Sequence, residues 1–153
     1  MTTITQARQA VRSRIEGGNI IFNGDPVPLR WQNEDGGPLP DDPTPFVYVE
    51  FLNEGSSIVA YGGGRAGNTH RNRCRDEAYV FVPKGWGLYA AEAIAEQIAA
   101  LLRSHRDERI SCFDATVIPG GDGAMLTPPG LSSEVGNYFW AACETSLTFD
   151  QIG

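Results

Sequence analysis

Apolar residues near the start of the chain recur at spacings of three and four: Ile4, Ala7, Val11 and Ile15 fall on one face of a helix. Thr2 or Thr3 supplies a capping hydroxyl, and Gly17 or Gly18 a left-handed residue to end it. Arg8, Arg12 and Arg14 then lie on the solvated side. At Val27, Leu29 and Trp31 the period drops to two, the pattern of a half-buried strand. Residues 36–45 hold four prolines and read as a loop. The run FVYVEFLNEG (46–55) is too short for a helix and rich in aromatic and β-branched residues. It predicts a strand that turns through EGS (54–56) and pairs with SIVAYGG (57–63) as a hairpin.

A further strand is expected over 74–83, with Ala78, Val80 and Val82 on one face and Tyr79 and Phe81 on the other. Segment 84–104 has the clearest helical period: Leu88, Ala91, Ile94, Ala95, Ile98, Leu101 and Leu102 form one stripe, reinforced by alanine propensity. Strands follow at 110–119 and 135–150, separated by a loop over 120–133. Adjacent strands with two helices predict an α+β fold, a mostly antiparallel mixed β-sheet with both helices packed on one face. At 153 residues one domain, 1–153, is expected.

Charge narrows the possible partners. The net charge of −7 argues against a general nucleic-acid coat, which needs clustered Lys and Arg, but suits a conduit past which DNA slides. Cys74, Cys112 and Cys143 are odd in number and widely spaced, forming neither a disulfide framework nor a zinc pair. With only His70 and His105 besides, no metal site is expected. No segment reads as a signal peptide or a bilayer span, so a cytosolic, reduced setting is expected.

The stretch YGGGRAGNTHRNR, 61–73, invites a phosphate-loop reading. Such a loop follows a strand, opens a helix and carries Lys then Ser or Thr. This one runs toward another strand and its cations are arginines, so it reads as a long mobile loop. Arg65, Arg71, Arg73 and Arg75 make it the most basic part of an acidic chain. Gly85-Trp86-Gly87 reads as a tight strand-to-helix turn, with Trp86 covering the core. His105 reads as complementing a helix C-terminus, and Cys112 and Cys143 as buried strand residues. No catalytic constellation stands out.

The order of these elements, above all the strand AYVFVP followed by Gly-x-Gly and the helix AAEAIAEQIAALL, resembles the tail terminator proteins of long-tailed bacteriophages and gene transfer agents. The resemblance runs over nearly the whole chain. It implies a structural virion component without enzyme activity or cofactor: a homo-hexameric ring at the neck end of the tail. The ring would cap the tail tube protein, stop polymerisation and offer a face to the head connector. Double-stranded DNA would pass through its channel unread, and assembly would take place in the bacterial host cytoplasm. Neighbouring neck and head-completion proteins share some of these patterns, and a small α+β enzyme is the alternative from another class. Asp41 and Asp42 in one long loop, with Arg65, Arg71, Arg73 and Arg75 in and after another, are the candidate assembly interface.

Overall fold

The computed structural model describes residues 1–64, 66–122 and 136–153. Helix α1 spans Ile4–Gly17. It is followed by short strands β1 (Ile21–Phe22), β2 (Asp25–Pro26) and β3 (Leu29–Trp31), then by β4 (Phe46–Ala60) and β5 (Thr69–Pro83). Helix α2 (Leu88–Leu102), β6 (Ser111–Asp122) and β7 (Tyr138–Ile152) complete the described elements. β1 and β2 form a small hairpin, and the other strands form one sheet ordered β3-β4-β5-β7-β6. Only the β3–β4 pair is parallel; the rest of the sheet is antiparallel. The fold is α+β, as the periodicities predict.

Helix α1 opens with a capping box: Gln6 N–H donates to the Thr3 side chain while Thr3 N–H donates to Gln6 Oε1. It ends differently from expectation. Gly18 is right-handed at φ −77°, and the left-handed residue is Asn19 at φ 49°. Gly18 instead gives room, since a Cβ there would meet Leu101 of α2 at 2.2 Å. Asn23 and Gly24, both at positive φ, make the tight turn between β1 and β2. Gln97 of α2 holds that hairpin, accepting from Ile21 N–H at 3.1 Å and donating to Ile21 C=O at 2.8 Å.

The expected hairpin within 46–63 does not form. β4 runs fifteen residues without reversing, and a bulge at Asn53/Gly55 absorbs the Glu-Gly-Ser signal. Its partner is β5, which begins at Thr69 rather than near Cys74. The glycine-rich stretch therefore shrinks to a turn between Ala60 and Thr69. There Gly62 and Gly67 approach so closely that a Cβ on either would lie within 2.2 Å of the other's carbonyl oxygen. The expected loop over 120–133 lies mostly outside the described residues, although β6 continues through Gly120 and Gly121.

Both helices cover the same face of the sheet. α2 crosses β5, β6 and β7, with α1 beside it, and the core joins Ala7, Val11 and Ile15 to Ile94 and Ile98 and to Val49, Val80 and Leu147. Seven α2 residues are buried, and four of them, Ala90, Ala91, Ala95 and Ala99, are alanines that let the helix lie close to the strands. Ala90 and Ala99 displace Leu88 and Leu101 from the expected stripe; Leu88 is exposed and Leu101 half-buried. Trp86 does not cover the core: it is about half exposed and leans on Phe22, while Gly85 and Gly87 take the positive φ the turn requires.

Ile98 has no solvent exposure at the centre of this contact. Ile98→Ala should therefore lower unfolding free energy by about 2–5 kcal/mol in a urea titration, the range for a truncated core aliphatic.

Candidate assembly interface

The sheet face away from the helices is divided into zones by register. At one end Phe46, Phe81 and Tyr138 form a second buried cluster with Leu39, Tyr79 and Trp140 against it; Phe46 and Phe81 stack at 4.8 Å. Next, Glu50, Glu77 and Glu144 sit directly opposite one another on β4, β5 and β7. Three like charges in one cross-strand row repel. Arg75 is the compensating cation: its Nε lies 3.0 Å from Glu77 and 3.3 Å from Glu54, and its Nη1 lies 3.8 Å from Glu144. Tyr79 O–H donates to Glu77. Burial, with Glu77 nearby, raises the Glu50 pKa above the ordinary glutamate value.

Beyond that row lie the other predicted arginines. Arg71 and Arg73 are strand residues, not loop residues. Arg71 makes a two-point ion pair with Asp150 of β7, at 2.8 and 2.7 Å. Arg73 has no ion-pair partner among the described residues, and Arg65 lies outside them. Asp41 and Asp42 are exposed in the proline-rich segment, and no ion pair among the described residues joins them to these arginines. The structure thus aligns Arg71, Arg73 and Arg75 on one sheet face and leaves the aspartates apart from them.

The edges of the sheet differ. β3 covers β4 only from Val47 to Val49; among the described residues no strand lies beside β4 beyond it. That free edge carries Ile58 and Val59, with Tyr61 just past it, all exposed. At the opposite side β6 is the outer strand. Its pairing starts at Ser111↔Thr148, so the end of β7 projects past it. An open groove of about 670 Å³ lies there, lined by residues including Thr2, Phe113, Asp114 and Asp150.

Chemistry is sparse around these features. Burial pushes the thiols up, Cys74 and Cys143 to about 11 and Cys112 to about 12, which keeps them protonated and unreactive. His105 Nε2 lies 3.3 Å from Asp107 in a hollow shared with Ser13, but no hydrogen bond between Ser13 and His105 is present among the described residues. A nucleophile needs its base within such reach. No three metal-ligating side chains gather among the described residues, and no described helix is long and apolar enough to cross a membrane.

No family model and no curated protein matches the chain. A solved structure superposes at TM-score 0.59 over 97% of this chain and 96% of its own, with 14% identity. That likeness establishes a shared fold.

The carboxylate row supplies a test of its own. A raised carboxyl pKa means the folded state holds its proton more tightly than the unfolded chain, so stability falls as pH rises from the unfolded value through the folded one. Glu50→Gln removes the titrating carboxyl. The variant should be more stable than the parent at pH 7, with the gap closing toward pH 4, in denaturant titrations at both.

Proposed function

We propose that the chain is a ring-forming structural subunit of a phage-like particle, of the tail terminator type its sequence resembles. One observation carries the reading: a single sheet offers, at one side, a β4 edge with apolar Ile58 and Val59 and no neighbouring strand among the described residues, and a groove beside the projecting end of β7 at the other. Those are two different surfaces on opposite sides of one protomer, the requirement for a heterologous contact that closes into a ring. An exposed edge strand is a ready template for backbone pairing, and monomeric proteins usually protect it with charge or proline. Residues 52–60 contain one charged side chain, Glu54, and no proline.

In this reading the ring is a homo-hexamer that meets the tail tube on one face and a head connector on the other, with duplex DNA passing through. The unpaired Arg73 belongs to the contact surface, and Arg65, Asp41 and Asp42 remain candidates beside it. Arg71 and Arg75 shape that surface through their bonds within the chain.

Ile58→Lys together with Val59→Lys should leave the protomer's melting nearly unchanged, within about 0.5 kcal/mol each for exposed positions. It should abolish ring formation in light scattering at high concentration and leave tails of uncontrolled length by electron microscopy. Rings of normal size from this variant would overturn the edge-pairing model. Labelling the native protein in particles distinguishes a terminator from a neighbouring neck protein by its position.

A further inference from the structure

Asp76 has the helix-face parity of Cys74, Ala78 and Val80, and lies beneath α1 with 1% of its surface exposed. Neither carboxyl oxygen has a hydrogen-bond partner in the described structure. It forms the buried end of a cavity of about 160 Å³ between α1 and the sheet. Val11, Trp31, Val49 and Phe51 form the apolar part of its walls, and Thr5, Gln9 and Gln32 the polar part. At the exposed mouth Arg8 sits 5.7 Å above the Phe51 ring, and Arg12 lies 4.7 Å above Trp31 and pairs with Glu16 and Glu34. Neither arginine makes an ion pair with Asp76.

A buried carboxyl without a partner is destabilising, so its presence under a packed helix requires an explanation. Val would fill the same strand position without that cost. The space is also informative: a cavity near 150 Å³ holds a molecule of benzene's size, about six non-hydrogen atoms. An apolar shaft with two free acceptor oxygens at its end matches a short alkyl chain bearing N–H donors. The mouth does not exclude such a cation, because the charge of Arg12 is balanced by two glutamates and Arg8 is held on an aromatic face.

We propose that this cavity is a binding site for a small organic cation, a primary alkylammonium whose nitrogen pairs with Asp76 and whose chain lies between Trp31, Phe51 and Val49. The charged or titratable groups around Asp76 are Arg8 and Arg12 on α1, Glu34 beyond β3, Cys112 on β6 and Cys143 on β7, with Glu77 next to it on β5 but on the opposite face of the sheet. Burial, and then Glu77, raise the Asp76 pKa to about 8, so the ligand would bind by displacing a proton. Affinity then rises with pH through that value, opposite to the trend for an anion held by the two arginines. The site uses neither the open β4 edge at Ile58 and Val59 nor the groove beside β7, and does not depend on ring formation.

The test is calorimetric titration with n-butylammonium, butyrate and butan-1-ol, with Trp31 fluorescence as a second signal. The amine should bind saturably, and about tenfold or more tighter at about pH 9 than at about pH 6, on the scale of one charge-assisted contact. The near-isosteric Asp76→Asn variant should fold, gain thermal stability at neutral pH and lose amine binding by at least about tenfold. Absence of saturable binding overturns the proposal. Butyrate or butanol binding as well as the amine, undiminished amine binding to Asp76→Asn, or a flat pH profile each does the same. If Asp76→Asn fails to fold, the pH profile of the parent protein decides.

Discussion

Strand β5 is hydrogen-bonded along its length to both β4 and β7, so its alternation sets what each face of the sheet must accept. Cys74, Asp76, Ala78, Val80 and Val82 go under the helices. Arg71, Arg73, Arg75, Glu77, Tyr79 and Phe81 go to the other side. Because the period is two, a one-residue slip would exchange the two sets and turn three arginines to the helix-covered face. The register is therefore held by burial on one face and by charge on the other.

The helix-covered face and the opposite face solve different problems. Under the helices, small α2 side chains let the helix approach closely, and branched residues from α1 and the strands fill the space between. On the far side no helix is present among the described elements. Aromatic packing at one end, covered in part by Leu39, gives way to the glutamate row and then to arginines. Arg75 eases that row by pairing with Glu77 and Glu144, and with Glu54 beside them, while Glu50 is buried without it. Asp76, adjacent in sequence but on the opposite face, has no such partner. Two neighbouring acidic residues thus have opposite electrostatic situations, set by which side of the strand they occupy.

Much of this was legible in the chain. The two helices were readable because each carries a sustained period near 3.6, and Thr3 with Gln6 carries the capping signal. Strand positions from Ala78 to Phe81 followed from alternation. The face of Asp76 was readable too, because the alternation through Ala78, Val80 and Val82 extends back to it. The Asn23-Gly24 turn has an equally local signal, a pair favoured at positive φ. Misreadings came where a local signal competed with a tertiary one. Glu-Gly-Ser reads as a turn, but pairing with β5 on both sides of Gly55 converts it to a bulge. Thr69 to Arg73 look like polar loop, yet they pair with both β4 and β7, and backbone bonds to two neighbours override composition.

The sequence by itself determined both helices, the α+β class and the face of most periodic residues, because helical and strand periods are local properties of the chain. Tertiary structure alone decided which strands became neighbours. It therefore decided that Glu50, Glu77 and Glu144 form a row, that Arg71 meets Asp150, and that β4 keeps a free edge. It also decided that a cavity lies over Asp76, since that space depends on how far α1 stands from the sheet. Residues far apart in the chain acquire shared chemistry only through register and packing, and neither is encoded in any one segment.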